Sequence, residues 1–154
     1  RILAINPGST STKIAVYEDT TPLLVRNIRH SVGELSHFPR VIDQFEFRKT
    51  GKEALKENGI PFEFDAIVGR GGLLKPIPGG VYEVNDAMLD DITHAMEAMR
   101  VIWGALLLPI AALLPDCRAF IADPGVVDEL DEIARITGSP LMPRITIWHA
   151  LNQR

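Results

Sequence analysis

The chain of 154 residues holds a single cysteine, Cys117, so it can form no internal disulfide. That usage suits a reducing cytoplasm, which is the expected location. A lone Cys beside an apolar run reads as packing rather than as a nucleophile. Positive charge is not in excess. The formal net charge is −4, which removes the electrostatic case for a nucleic-acid partner. No signal peptide is expected, because the N-terminus goes straight into a strand pattern. The apolar run Val101–Leu114 is broken by Gly104 and Pro109 and is too short to span a bilayer. It reads as a buried helix kinked or broken at Pro109, and no membrane partner is expected. No internal repeat or low-complexity segment stands out. At 46% hydrophobic and 23% charged, the chain can build one ordinary domain.

The densest cluster of chemistry lies at the start. Ile2-Leu3-Ala4-Ile5 reads as a buried strand, broken by Asn6-Pro7-Gly8. A run of hydroxyls follows, closed by Lys13, and Ile14-Ala15-Val16-Tyr17 reads as a second strand. Such a turn offers backbone N–H groups, hydroxyls and an ammonium, a set that suits phosphate oxygens. A Walker loop is excluded, because it needs a second glycine and a following helix. A plain hairpin would use the same residues, since Gly, Ser and Asn are common turn formers.

The wider pattern predicts strands at 2–6, 12–17 and 22–29. A helix is expected from about 39 to 57, ending before Gly59. A short strand follows at 66–68. Asn85 is a candidate N-cap for a helix with Met88, Ile92, Met96 and Met99 on one face. Residues 119–122 form another strand. Asp123-Pro124 then offers an N-cap and a first-turn proline for a helix to about Ile136, stopping at Gly138. Thr146 caps a last short helix through Asn152. The order β-β-β-α-β-α-β-α implies an α/β domain. Antiparallel hairpin strands join parallel βαβ strands in one mixed sheet, with helices on both faces.

Several motifs together resemble one family. They are Asn6-x-Gly8-Ser9-Thr10-Ser11-x-Lys13, Asp43–Arg48, Val68-Gly69-Arg70-Gly71-Gly72-Leu73-Leu74 with Pro76–Gly80, Asp123-Pro124 with Val127–Leu130, and His149–Gln153. The set is similar to the butyrate kinase branch of the acetate/butyrate kinases, carboxylate kinases of the actin-like, ribonuclease-H-like ATPase superfamily. The element order is that of one half of such an ATPase. The resemblance implies phosphoryl transfer between ATP and a short-chain fatty acid, here butyrate, to give an acyl phosphate and ADP, with Mg2+. It implies that Asn6, Ser9, Ser11 and Lys13 face the phosphates. Arg70, with Gly71, Gly72 and Leu73, would hold the carboxylate, and Leu74, Pro76 and Pro78 would wall the acyl chain. Asp123 and His149 would act at the transferred phosphoryl, with Asn152 nearby and Asn6 and Asp123 near the metal. His30, His37 and His94 show no partner pattern and are expected at the surface.

Two departures follow. The family's His-Ala-Ser-Asn-Leu-Gly stretch is replaced by Met99-Arg100-Val101-Ile102-Trp103-Gly104. The resemblance also covers only the first half of the family's length, as a single domain over 1–154. The adenosine pocket, second phosphate loop and second arginine belong to the other half. Two expectations stand: a catalytic domain of a larger kinase, or a non-catalytic half-domain that folds and pairs as a homodimer through the apolar 101–114 segment.

Overall fold

The computed structural model describes residues 1–8, 11–31, 51–70, 74–88 and 116–142, with positions 33, 90, 91 and 144. Its elements are strands β1 (Ile2–Pro7), β2 (Ser11–Glu18) and β3 (Thr21–Arg29), and helix α1 (Gly51–Glu57). Strands β4 (Ala66–Gly69), β5 (Val81–Glu83) and β6 (Arg118–Ala122) follow, then a single 3-10 turn at Glu132–Arg135. Residues 86–88 and 90–91 are helical. Among the described residues, no helix is long and apolar enough to cross a membrane.

The strands form one six-stranded sheet in the order β3-β2-β1-β4-β6-β5. β1 to β3 are antiparallel hairpins, whereas β1, β4 and β6 run parallel. β5 closes the other edge antiparallel to β6. This is the expected mixed sheet, and the five predicted strands lie within a residue of their expected ends.

Alternation along each strand sends one set of side chains inward. Leu3 and Ile5, Ile14 and Val16, Leu24, Ile67 and Ile121 are buried together in one core. Leu55 brings α1 onto that side. The helix ends as its sequence predicts. Gly59 adopts φ 66°, Gly59 N–H donates to Lys56 O at 3.0 Å, and Ile60 N–H donates to Leu55 O at 2.9 Å. These paired bonds are a Schellman ending, which needs a left-handed residue where only glycine is unstrained. Asn85 caps as expected, its Oδ1 accepting from Met88 N–H at 3.0 Å. The expected helical residues 39–50, 92–99 and 146–152 lie outside the described residues, as does the 101–114 run.

Three expectations are corrected. No helix starts at Pro124. Asp123 sits at φ 42°, not in the extended backbone an N-cap requires, and its carboxylate accepts from Gly80 N–H instead. Val126 and Val127 are buried, and Val127 bridges to Ile77. Helix is delayed to Glu132–Arg135, where Arg135 grips Asp128 with two bonds of 2.9 and 3.0 Å and Glu132 with one of 3.0 Å. Next, β5 is a strand missing from the expected set, formed where β6 offers an open ladder to Val81–Glu83. Finally, His30 is not at the surface. It is buried and shares a hydrogen bond with the Thr12 hydroxyl.

Candidate functional site

The site is built on the C-terminal ends of the three parallel strands. In the register of the sheet, Ile2–Ile5 of β1 pair with Ala66–Gly69 of β4, which pair with Arg118–Ile121 of β6. The next residues out are Asn6, Arg70 and Ala122-Asp123. Three predicted site residues from distant parts of the chain therefore share one edge. Ligands of open α/β sheets bind at such an edge, where loops leave the strands. Arg70 stays in line with its neighbour, its N–H donating to Ile5 O at 3.3 Å.

Lys13 joins this edge through the hairpin. It stands directly opposite Asn6 in the β1–β2 ladder, and both side chains are exposed on the face away from the core. Gly8 N–H donates to Ser11 O at 2.7 Å, which closes the turn tightly. A Cβ on Gly8 would lie 3.2 Å from that carbonyl oxygen, so the turn favours glycine. Ser11 opens β2 on the same face as Lys13 by alternation.

Asn6, Lys13 and Arg70 line a single open cleft of about 210 Å3. Its remaining lining includes Ala4, Ala15, Val25, Val68 and Ala122. These are small or short side chains, and their size leaves room above the sheet. The cleft thus joins an apolar floor to two cations and an amide. That combination can receive an anion with a short hydrocarbon tail.

Asp123 follows the cleft-lining Ala122 and is half-buried. Its Oδ1 accepts from Gly80 N–H at 2.8 Å, and its N–H donates to Gly80 O at 2.9 Å. Among the described residues, Oδ2 makes no hydrogen bond. Glu129 also reaches this corner: a Cβ on Gly79 would meet its Oε1 at 2.6 Å and Asp123 Oδ1 at 3.5 Å. Leu74 does not wall the cleft but packs into the core, whereas Pro76 and Pro78 are exposed. Ser9, Gly71, Gly72, Leu73, His149 and Asn152, as well as His37 and His94, lie outside the described residues.

Magnesium takes oxygen ligands and is commonly held by one or two carboxylates plus substrate phosphates. Asp123 Oδ2 and the Asn6 amide oxygen fit that pattern. Among the described residues, no group of three or more His, Cys, Asp or Glu could hold a metal by itself. Cys117 packs against the core, and burial pushes its thiol pKa up, with the Asp65 charge adding to the effect. It is a protonated packing residue, as expected.

Sequence reading passed over Tyr82 at this corner and gave Glu129, quoted within the Val127–Leu130 motif, no role. The Gly79-Gly80 pair was the available signal, but the pairing of β5 with β6 that gives it meaning is a long-range feature.

Comparison with known proteins now bears on the geometry. The chain is 69% identical, over its whole length, to a probable butyrate kinase of Bacteroides thetaiotaomicron. The resemblance to butyrate kinase runs from end to end. The chain spans 44% of that relative's length. Among solved structures, it superposes on the acetate kinase of Porphyromonas gingivalis with a TM-score of 0.61. That match covers 99% of this chain and 46% of the other at 13% identity. The acetate kinase of Entamoeba histolytica gives 0.60, over 90% of this chain and 39% of the other at 14% identity. At such identities the structural matches speak to the fold alone: the chain shares its mixed-sheet fold with part of these acetate kinases. No protein-family model matches the chain.

Proposed function

We propose that the chain is the acid-binding half of a short-chain carboxylate kinase, which moves a phosphoryl group between ATP and butyrate to give butyryl phosphate and ADP. The supporting observation is the cleft that Asn6, Lys13 and Arg70 share above a floor of small apolar residues. Butyrate as the acid rests on the name of the 69%-identical relative.

In this reading, the Arg70 guanidinium holds the carboxylate, whose own oxygen attacks the terminal phosphorus. No strong general base is needed, because a carboxylate is already ionised at neutral pH. Asn6, Ser9, Ser11 and Lys13 bind phosphate oxygens, and His149 donates to the oxygens of the phosphoryl in flight. Asp123 orients the cation that accompanies the nucleotide. Bound Mg2+ would neutralise phosphate charge. Positioning and charge neutralisation account for most of the catalysis in such a transfer. The nucleotide's second wall would come from a partner segment outside these 154 residues. Self-association of the chain is a separate proposal, read by light scattering: a dimer supports it and a clean monomer ends it.

The test is acyl-phosphate formation trapped by hydroxylamine, with Mg-ATP and butyrate. The chain takes the place of the matching 44% of the Bacteroides thetaiotaomicron relative. Hydroxamate that disappears in Arg70→Ala supports the reading. Undiminished product in Arg70→Ala overturns it.

A further inference from the structure

We propose that Tyr82 is a positioning residue for Asp123, acting through the Pro78–Gly80 turn. The proposal rests on the reading of Asp123 given under Proposed function, and it adds a residue that the resemblance did not supply.

The argument starts from the strain at Asp123. A non-glycine residue at φ 42° occupies a sparsely used region, and Asp tolerates it better than most. Such a conformation persists where its surroundings hold it. Here the hold is reciprocal: Asp123 N–H donates to Gly80 O, and Gly80 N–H donates to Asp123 Oδ1. With Oδ1 tied to a backbone amide, rotation of the carboxylate is restricted. Oδ2 is then aimed, and it makes no hydrogen bond among the described residues.

The aim depends on where the Gly80 amide sits. Gly80 adopts φ 156°, which L side chains rarely use. Tyr82 fastens this turn from both sides. Its hydroxyl donates to Pro78 O at 2.8 Å, and its ring lies against Gly80, where a Cβ would meet Cε2 and Oη at 3.5 Å. Tyr82 is itself placed by β5, opposite Ile121 of β6. The chain of contacts therefore runs from the Tyr82 hydroxyl to the Pro78 carbonyl, through the turn to the Gly80 amide, and on to Asp123 Oδ1. A second backbone link, Asp128 N–H to Ile77 O at 2.8 Å, anchors the start of the turn. Loss of the hydroxyl alone would therefore loosen the turn without unfolding the corner.

The test uses the full-length kinase in which residues 1–154 replace the matching part of the Bacteroides thetaiotaomicron relative. Two variants are compared, Tyr82→Phe and Asp123→Asn. Kinetics are read with thermal melting and with the Gly80 amide shift in 15N-glycine-labelled protein. That resonance is expected to move in Asp123→Asn, which alters its acceptor, and in Tyr82→Phe, which frees its turn. Tyr82→Phe should lower kcat about tenfold, a loss of the size that small misplacements cause, while KM for butyrate and Tm stay close to the parent's. Parent-like kcat in Tyr82→Phe, beside a dead Asp123→Asn, would overturn the Tyr82 proposal and leave the Asp123 reading intact. A Tyr82→Phe variant that loses Tm, kcat and KM together would show a merely structural tyrosine and also overturn it. Full activity in Asp123→Asn would instead remove the Asp123 reading on which the proposal stands.

Discussion

The Thr12 hydroxyl and His30 Nε2 share a hydrogen bond of 2.9 Å on the buried side of the β2–β3 hairpin. Thr12 pairs with Ile28, so His30 is its diagonal neighbour, two residues on and just past the end of β3. The histidine is buried because the hairpin carries it inward at a position where a polar partner already waits. Thr12→Val keeps the side-chain shape and removes that bond. The expected cost is about 0.5–1.5 kcal/mol, the usual net contribution of one hydrogen bond. A fall in Tm of about 2–4 °C per kcal/mol would register it. An unchanged Tm would mean that His30 keeps all its needed partners without Thr12.

Arg70 provides the functional prediction. Arg70→Ala should weaken butyrate binding by about 1.5–3 kcal/mol, the range for a hydrogen bond to a charged group. Nucleotide binding should change far less, because the phosphates are assigned to Asn6, Ser11 and Lys13. Isothermal titration with each ligand checks this. Equal loss of both ligands would count against Arg70 as the carboxylate holder.

The two glycines beside Asp123 should respond differently. Gly79→Ala brings a Cβ to 2.6 Å from Glu129 Oε1, the end of a flexible side chain that can rotate away. Gly80→Ala forces an L residue to φ 156°. Strained backbone of that kind costs about 1–3 kcal/mol. Denaturant melts should rank Gly80→Ala as the more damaging, and the reverse order would contradict the turn geometry described above.

Glu83 and Arg118 give a pH signature at the sheet edge. Two hydrogen bonds of 2.9 and 2.7 Å join them across β5 and β6. The Arg118 bond holds the Glu83 carboxyl below its ordinary value, with the guanidinium charge adding to the effect and partial desolvation opposing it. A depressed folded pKa means the contribution is fully present above the unfolded value and is lost as pH falls through the folded one. The Tm gap between parent and Glu83→Gln should therefore be present at pH 7 and close as acid protonates Glu83. Both partners are exposed, so the gap is small and shrinks with salt. A gap that widens on acidification would contradict the assignment.

Much of this was legible in the sequence because it is local. The alternation in Ile2–Ile5 and Ile14–Tyr17 marked strands, Gly59 marked a helix end, and Asn85 marked a helix start. The resemblance carried by Asn6–Lys13, Arg70 and Asp123 pointed to a kinase site before any geometry was in hand. The stretch after Asp123 was misread for an equally local reason. Asp followed by Pro is a sound helix start until a competing partner, the Gly80 amide, takes the carboxylate.

By itself, then, the sequence determined the strands, the turn at Gly8 and the family likeness, since each depends on neighbours along the chain. The tertiary structure alone decided which strand ends meet. Parallel pairing of β1, β4 and β6 brings Asn6, Arg70 and Asp123 to one edge, antiparallel pairing of β5 with β6 brings the Gly80 turn to Asp123, and the β2–β3 hairpin buries His30. The physical reason is range. Propensity and periodicity act over a few residues, whereas the register between strands more than fifty positions apart is chosen by the burial of a shared core.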